Sequence, residues 1–340
     1  MRQKKEKIAL ILNSNAGRVT REVKSALLPL NSPRVRVFLS DNEQEGEEYV
    51  REICQGNFGL IISGGGDDTS RSILDGLEKH GNGYRPCLAA VKLGTGNGTA
   101  HYVGAGNPLE DIARLCAAEV AALPLRTIPL ITISAVRSKG LLLERTHFNF
   151  AGTGLDAMML QHYETSEIKG LWGYLAAIPK TLRQLQEEGI PYSQVRATGL
   201  TRLERHNGEI RAEAVPPEIE KGLFSNSVTV GTTPYFGFGF MALPWAEEAA
   251  KRGKMHLRIV QGTPAAAAGK LVNNIIPLWR GTFQGKPLED YCAEEVTVTF
   301  PDQPGYLQVA GKSKGAVSSV TYRIDGAMQW VDFRKMNGYS

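Results

Sequence analysis

Cysteine is scarce in this sequence, and its spacing excludes two common kinds of structural site. The chain has 340 residues and four cysteines, which form neither a CxxC pair nor a metal-ligand spacing: Cys54, Cys87, Cys116 and Cys292. The six histidines do not cluster with cysteines or carboxylates at the spacing of zinc ligands. We therefore expect free thiols in a reducing compartment, which favours a cytoplasmic location.

Long apolar runs are also missing. No stretch of about 18 apolar residues occurs, so we expect no transmembrane helix. The basic segment Met1–Lys7 precedes an apolar run, Ile8–Leu12, that is too short for the core of a signal peptide. This run is better explained as a buried first strand.

A strong charge of either sign is absent. Lys and Arg number 39 against 35 Asp and Glu, and no long block of like charge occurs. This balance lacks the basic signature of nucleic-acid-binding proteins, so we expect no nucleic acid among the partners. A net charge of +4 favours small anionic ligands or an anionic membrane surface instead. The length suggests two domains.

The first part of the chain alternates short apolar runs with helical patterns. The expected strands are Ile8–Leu12, Val35–Leu39, Phe58–Ser63 and Cys87–Val91. The expected helices lie near Thr20–Leu28, Glu43–Cys54, Arg71–His80 and Pro108–Ala118. Strands that alternate with helices imply a mostly parallel sheet with both faces covered, so we predict an α/β domain over residues 1–127.

The pattern changes near Leu125, where strands begin to dominate. They are expected at Arg126–Ser134, Gly140–Phe150, Val195–Leu203, Ser227–Val230, His256–Val260, Val296–Pro301, Tyr306–Ala310 and Val317–Arg323. One helix is expected at Glu167–Glu188, with a kink or break at Pro179. We predict an antiparallel, sandwich-like β-rich domain over residues 128–317.

Two glycine-rich runs follow apolar strands of the first domain. The run Ser63–Thr69 reads Ser-Gly-Gly-Gly-Asp-Asp-Thr, and Leu93–Thr99 reads Leu-Gly-Thr-Gly-Asn-Gly-Thr. Loops after parallel strands lie at the carboxyl edge of the sheet, where open α/β folds place ligands. Glycines let backbone amides approach phosphate oxygens, and an Asp in such a loop commonly holds Mg²⁺ or a ribose hydroxyl.

Each run also has a purely structural explanation. The first could be a tight strand-to-helix turn with Asp or Thr as the helix N-cap, and the second could be turn chemistry alone. Two such loops at one sheet edge favour a phosphate site. Neither loop matches the Rossmann fingerprint or the Walker P-loop.

The two runs resemble a known family, the diacylglycerol kinases, sphingosine kinases and related bacterial lipid kinases, which share a superfamily with NAD kinases. That family carries G-G-D-G-T after its third strand and G-T-G-N-D after its fourth, similar to Gly65–Thr69 and Gly94–Gly98. Asn13–Gly17 stands at the family's Asn-Pro-x-(Ser/Ala)-Gly, and Ser40 at its nucleotide-proximal threonine. Further similar segments, in the family's order, are Asn149–Ala157, Lys169–Tyr174, Tyr235–Gly239 and Pro244–Ala246.

The resemblance implies a three-layer nucleotide-binding domain, a β-rich lipid-substrate domain and final strands, 318–340, that pack back on the first domain. It implies ATP and Mg²⁺ as cofactors, a lipid hydroxyl as acceptor and peripheral contact with the inner membrane face. Asp67 is then a metal ligand and a catalytic residue. The implied nucleotide-binding residues are Asn13, Ser40, Gly65, Gly66, Asp67, Asp68, Thr69, Gly94, Thr95, Gly96 and Asn97.

Several residues depart from the family pattern. Asp68 replaces the last glycine of G-G-D-G-T, which puts a second carboxylate beside the expected phosphates, and Arg71-Ser72 replaces Asn-Glu. The family's D-G-E aligns with Ala310-Gly311-Lys312, and alanine cannot accept a proton. Lys312 is instead a candidate catalytic cation, since charge alone can stabilise a transferring phosphoryl group. The family's acidic D-G-x-L region is cationic here, Arg252–Leu257, which fits either a solvated surface or a phosphate-facing one.

Three functions therefore stay open: an ATP-dependent lipid kinase of the diacylglycerol kinase type, a catalytically degraded nucleotide- or lipid-binding protein, and an NAD kinase-like enzyme. The missing Asn-Glu pair argues against the third, and the missing D-G-E favours the second over the first. The apolar segment Gly170–Pro179 fits a packed helix or a lipid-binding lip. The oligomeric state stays open between a monomer and a homodimer.

Overall fold

The computed structural model describes residues 6–137, 145–168, 170–188, 192–206, 209–215, 223–261, 270 and 273–338. The chain divides into two compact units. Unit 1 comprises Met1–Ile128, Gly237–Gly239 and Ala327–Ser340, and unit 2 comprises Pro129–Phe236 and Phe240–Gly326.

Unit 1 is built on a parallel sheet. Its first four strands are β1 Lys7–Asn13, β2 Val35–Ser40, β3 Phe58–Gly64 and β4 Cys87–Ala90, in the order β2-β1-β3-β4. The last residues of the strand Ser319–Val331 lie parallel beside β4, with Trp330 opposite Leu88. Every residue of β3 and β4 is buried, as expected for strands that read as continuous apolar runs.

Helices connect these strands. They are α1 Arg21–Leu27, α2 Glu43–Gln55, α3 Asp67–His80, α4 Gly98–Tyr102 and α5 Pro108–Ala117. The Asn42 side chain caps α2 by accepting the amide of Glu45, and Asn107 caps α5 just before a proline at its first position. Helix α3 begins at Asp67, four residues earlier than predicted, so the acids of the first glycine run lie in its first turn.

Unit 2 contains two antiparallel sheets. Its strands are β5 Leu125–Val136, β6 Thr146–Phe148, β7 Phe150–Gly154, β8 Ser193–Thr198, β9 Thr201–His206, β10 Glu209–Ala214, β11 Leu223–Ser225, β12 Ser227–Gly231, β13 Met255–Val260, β14 Leu288–Ala293, β15 Glu295–Thr299, β16 Gly305–Val309, β17 Lys312–Val317 and β18 Ser319–Val331. The first four residues of β5 and the last five of β18 belong to unit 1. One sheet has the order β11-β8-β15-β18, and β5 pairs with β6 and β18. The other has the order β10-β9-β14-β13-β12-β7-β16-β17. The predicted fold class, a parallel α/β part followed by an antiparallel β-rich part, is confirmed.

The helices of unit 2 differ from the prediction. They are α6 Leu155–Glu164, α7 Gly170–Glu188, α8 Ala246–Lys251 and α9 Ile275–Trp279. The prediction missed α6 entirely. Of the kink or break predicted at Pro179, the break is wrong because α7 continues through it. The predicted strand Val195–Leu203 is two strands, which meet at a turn where Gly199 has a positive φ of 62°. Part of the predicted strand Gly140–Phe150 lies outside the described residues. No helix in the described ranges is long and apolar enough to cross a bilayer.

The cationic segment Arg252–Leu257 finds partners inside unit 2. Arg252 pairs with Glu248 at 2.8 Å, and the Lys254 ammonium donates to the Gly199 carbonyl at 2.5 Å. The fully buried His256 ring lies 2.7 Å from the Asp290 carboxylate, which Arg258 also contacts at 2.7 Å. Because these cations already contact protein acceptors, the segment has a structural role within the unit.

Candidate functional site

The carboxyl ends of three neighbouring strands place polar groups at one edge of the unit 1 sheet. The Asn13 side-chain amide, at the end of β1, donates to the Thr69 hydroxyl at 3.1 Å. The Asn13 carbonyl oxygen Oδ1 accepts the Asn15 amide at 3.0 Å, which turns the chain away from the strand. Thr69 lies in the first turn of α3, directly after the glycines that follow β3. The predicted residues Asn13 and Thr69 are thus brought together.

Asp67 joins the two glycine loops. Its carboxylate accepts the backbone amide of Gly98 at 2.7 Å and that of Thr99 at 2.9 Å, both in the first turn of α4. The side chain is buried, and burial raises its pKa although the two amides act in the opposite direction. Each carboxylate oxygen therefore already has a backbone donor, and Asp67 acts across the sheet edge as a cap for a second helix.

The two loops touch through their glycines. A Cβ atom on Gly94 would lie 2.2 Å from the Cα of Gly66, so no larger residue fits there without a backbone shift. A Cβ on Gly17, in the loop after β1, would lie 2.9 Å from the Thr95 hydroxyl. The three loops therefore form one packed surface that is made largely of backbone.

The remaining predicted side chains in unit 1 shape this surface. Asn97 has a left-handed φ of 59°, and its amide group both accepts the Gly94 N–H at 2.9 Å and donates to the Gly94 carbonyl at 2.7 Å. Ser40 ends β2 opposite Asn13, is buried, and donates to the Leu12 carbonyl at 3.4 Å. Gly96 accepts the amide of Phe238 at 2.8 Å through its carbonyl oxygen. Both Asn97 and Ser40 thus make contacts that stabilise the loops themselves.

Comparison with known families agrees with this geometry. Residues 7–127 match the family model described as the diacylglycerol kinase catalytic domain. This part of the chain is therefore similar to that family. The matched residues include both glycine loops, Asn13 and Ser40. No curated protein matches the chain.

Solved structures extend the likeness of fold to the whole chain. A crystal structure named as a diacylglycerol kinase from Bacillus anthracis str. Sterne has a TM-score of 0.59 at 16% identity, over 96% of this chain and 97% of that chain. Another structure from the same organism gives a TM-score of 0.60 at 17% identity, over 98% of this chain and 97% of that one. Yeast NADH kinase complexed with NADH gives 0.50 at 11% identity, over 98% and 87%. At these identities the likeness concerns the fold alone.

Within residues 7–127, the departures from the family pattern at Asp68 and Arg71 compensate each other. The buried Arg71 guanidinium contacts Asp68 at 2.8 Å, Asp75 at 2.6 Å and Glu43 at 2.8 Å. Burial lowers the pKa of Arg71, but Asp68 and Asp75 raise it by more, so the cation is firmly held. The repulsion that the sequence predicted between Asp68 and a phosphate is therefore reduced by this ion pair.

Three basic residues that the sequence analysis missed surround the second glycine loop. Lys92 precedes the loop, His101 follows it in α4, and Arg18 donates its backbone amide to Leu93 at 3.1 Å. Burial, together with the positive charges of Lys92 and Arg18, lowers the pKa of His101 to about 4. Burial and Arg18 lower the pKa of Lys92, which Asp111 partly offsets. The sequence signal that could have identified these basic residues was their position next to the glycine loops.

The segment Gly237–Gly239, which the sequence analysis identified only as a similar segment, packs on the second glycine loop. Phe238 has a left-handed φ of 59°, which a bulky residue rarely adopts, and its amide donates to Gly96. A Cβ on Gly237 would lie 3.0 Å from the Cα of Gly96. The repeated Phe-Gly pattern of this segment resembles the family in the sequence. Its contact with Gly96 depends on the tertiary structure and could not be predicted from that pattern.

Lys312, the other predicted catalytic residue, lies in unit 2. It begins β17 after the two-residue turn Ala310–Gly311 and is exposed. Ala310 and Gly311 have positive φ values of 55° and 71°. At Ala310 the side chain is a methyl group, so this turn carries no proton acceptor in its side chains.

The described residues do not form a protein cage for a metal ion. In the ranges given above, no three His, Cys, Asp or Glu side chains converge on one point. The Asp67 oxygens accept backbone amides, and Asp68 pairs with Arg71. The described residues therefore give no closed protein cage for Mg²⁺, and an ion bound here would take most of its ligands from nucleotide phosphates and water.

Proposed function

We propose that this protein is an ATP-dependent lipid kinase of the diacylglycerol kinase type, which transfers a phosphoryl group from ATP to a lipid hydroxyl. The observation that carries the proposal is the joining of the two glycine loops by Asp67 beside Asn13 and Thr69, inside a diacylglycerol kinase catalytic domain. Backbone amides in a close-packed glycine surface are suited to phosphate oxygens.

The basic group Arg18, Lys92 and His101 supports a phosphate-bearing ligand at this surface. Like charges held near one another destabilise the free protein, and a polyphosphate beside them would relieve that repulsion. Because the described residues form no metal cage, Lys92 and Arg18 would supply positive charge directly, His101 would add to it once a polyphosphate raises its pKa, and any Mg²⁺ would enter with the nucleotide. The proposed nucleotide site is thus electrostatically complementary to ATP.

A second candidate is a nucleotide- or lipid-binding protein with little or no transfer activity. Ala310 favours it, because the resemblance places a proton-accepting acid at that position. General base catalysis typically contributes about 10²–10⁴-fold, so transfer to a neutral diacylglycerol should be slow even if Lys312 stabilises the transferring group.

Label transfer from γ-labelled ATP with Mg²⁺ to a panel of lipid acceptors, read in the organic phase, tests both candidates. Calorimetry with ATP should show binding in either case. Label in a lipid product supports the kinase, and binding without label supports the binding protein. Absence of binding at millimolar ATP contradicts both.

The pair Ala310→Asp with Lys312→Glu restores the family residues and sharpens this test. If the rest of the site is intact, transfer to diacylglycerol should rise by roughly tenfold or more while ATP affinity stays unchanged. A double variant that is slower than an active wild type would instead show that Lys312 takes part in the reaction.

Peripheral membrane contact belongs to the same proposal. Trp172 is 74% exposed at the start of α7, and Ile168 just before it is 53% exposed. Exposed aromatic and aliphatic side chains of this kind partition into the headgroup region of a bilayer. Flotation with anionic and neutral liposomes should show binding that Trp172→Ala weakens and Leu28→Ala, a control in unit 1, does not.

A further inference from the structure

The hairpin that carries Lys312 has an unfavourable turn. Val309 pairs with Lys312, so β16 and β17 are joined by the two residues Ala310 and Gly311, both with positive φ. Two-residue turns of this kind prefer Asn, Asp or Gly at both positions, and alanine lacks their tolerance of the left-handed region. The turn therefore needs contacts from elsewhere in unit 2 to hold this conformation.

Gln308 supplies one such contact. Its side chain is buried, and its carbonyl oxygen Oε1 accepts the backbone amide of Gly311 at 3.1 Å. The other end of the same amide group donates through Nε2 to the Asp156 carboxylate at 3.3 Å. Gln308 thus links the turn to the first turn of α6.

The surroundings of Asp156 are shaped around its carboxylate. The buried Ser227 hydroxyl donates to it at 3.1 Å. A Cβ on Gly152 would lie 2.0 Å from its Oδ2 atom, so only glycine leaves room for this carboxylate. Neither the glycine loops nor the proposed nucleotide site of unit 1 uses this acid.

We propose that Asp156 is a positioning residue for the Ala310–Gly311 turn, and hence for Lys312, acting through the side-chain amide of Gln308. The role of Lys312 rests on the proposed function, whereas the positioning of the turn does not. An ionised carboxylate can only accept hydrogen bonds, so it fixes the NH₂ group of Gln308 towards itself and the Gln308 oxygen towards Gly311.

Protonation of Asp156 would release this arrangement. A neutral carboxyl can donate its O–H to the Gln308 oxygen. The side-chain amide of Gln308 then turns over, so that its NH₂ group faces the Gly311 N–H. Because both of these groups are donors, the hydrogen bond between Gln308 and Gly311 is lost. Burial raises the pKa of Asp156 to about 6, so the change falls in a mildly acidic range. Titratable or charged groups near Asp156 and the hairpin are Tyr322 from β18, Glu164 from α6 and Lys312 from β17.

Hydrogen exchange of the Gly311 amide in the full chain, followed by NMR and corrected for the intrinsic pH dependence, tests the proposal. Protection should fall by about tenfold between pH 7.5 and pH 5 in the wild type. Gln308→Leu should lose this protection at both pH values, and Asp156→Asn should abolish the pH dependence. The Ser313 amide, which Glu164 accepts at 2.9 Å, is the internal control.

The matched control is Gln261→Leu, since Gln261 also donates its side-chain amide to a carboxylate in unit 2, that of Glu289 at 3.1 Å. It should leave Gly311 unchanged. Ser227→Ala removes a hydrogen-bond donor from the Asp156 carboxylate, which raises the pKa of Asp156, so the loss of protection at Gly311 should move to higher pH. This variant keeps Gln308 and therefore tests the proposal even if Gln308→Leu does not fold. Wild-type protection at Gly311 in folded Gln308→Leu, or an unchanged pH dependence in Asp156→Asn, would overturn the proposal. Because exchange requires no turnover, this outcome is independent of the ATP and label-transfer assays.

Discussion

The Asp67 carboxylate accepts the Gly98 amide at 2.7 Å, across 31 positions of sequence. This contact makes the acid of the first glycine loop part of the second loop. Asp67, which the resemblance assigns to metal binding, therefore also holds the two loops together. Its replacement should lower the stability of the protein as well as weaken ligand binding.

We expect Asp67→Asn to lower the free energy of unfolding by about 2–3 kcal/mol, because an amide NH₂ cannot accept and one buried backbone donor loses its partner. Urea denaturation measures this change. Asp302→Asn, at an exposed position, should stay within about 0.5 kcal/mol of wild type. Equal stability of the two variants would mean that Asp67 does not hold the loops together.

Gly94→Ala should destabilise the protein by about 3 kcal/mol and weaken ATP binding, because its Cβ would meet the Gly66 backbone at 2.2 Å. Gly46→Ala is the matched control in α2, where a Cβ would have no neighbour within 4 Å. That variant should stabilise the helix by about 0.5–1 kcal/mol. Thermal and urea unfolding of the two variants would show whether the close approach of the glycines is essential.

Arg71→Asn should cost about 3 kcal/mol, because it leaves the partly buried Asp68 and Asp75, and the exposed Glu43, without their shared cation. Asp68→Gly should cost less, since Arg71 keeps Asp75 and Glu43. The loss of unfolding free energy in the double variant Arg71→Asn/Asp68→Gly should be smaller, by roughly 1 kcal/mol, than the sum of the losses in the two single variants.

The exposed pair of Arg36 and Glu52 provides the control for this cycle, because Arg36→Asn should change stability by less than about 1 kcal/mol. Strict additivity of Arg71→Asn and Asp68→Gly would contradict a direct coupling between the two positions.

ATP binding should take up protons at pH 5–6. The pKa of His101 is lowered to about 4 in the free protein by burial and by Lys92 and Arg18, and a bound polyphosphate would favour its charged form. The pKa then rises on binding, so affinity should increase as pH falls through this range. Calorimetry in two buffers of different ionisation enthalpy measures the uptake.

Lys92→Met should lower ATP affinity by roughly tenfold at pH 7.5 and raise the pKa of His101 in the free protein, because one repelling charge is gone. Lys335→Met, at an exposed position of the same unit, is the control. Proton uptake that is unchanged in a His101→Gln variant would show that another group titrates.

Asp156→Asn should stabilise the protein at pH 7.5 by about 2 kcal/mol if its hydrogen bonds are kept. The pKa of Asp156 is about 6 in the folded chain and close to 4 when unfolded, so the folded state holds the proton more tightly. Stability from this group is therefore present below pH 4 and is lost as pH rises through 6. The difference between variant and wild type should vanish near pH 4, and a constant difference from pH 4 to pH 8 would contradict it.

The strands and loops of unit 1 could be predicted because continuous apolar runs and glycine turns are local signals. The contacts that organise the site could not. The partners of Asp67 lie in α4, a five-residue helix with no periodic pattern, and the Arg71 cluster reaches back 28 positions to Glu43. Helix α6 was missed because its apolar residues do not keep to one side, so its sequence lacks the usual helical stripe.

In unit 2 the segment Val195–Leu203 was predicted as one strand because both halves carry β-forming residues, and the turn at Gly199, with its positive φ, separates them into two. The pairing of Gln308 with Asp156 joins positions 152 residues apart and depends on how β16 packs on α6. Such contacts arise from tertiary adjacency, which neither composition nor periodicity encodes.

The Arg71 cluster also shows that the two neighbouring positions are unequal. In this chain Arg71 without Asp68 would still contact Asp75 and Glu43, whereas Asp68 without Arg71 would be a third acid with no cation between them. The arginine therefore stabilises the cluster on its own, and the aspartate is tolerated only in its presence.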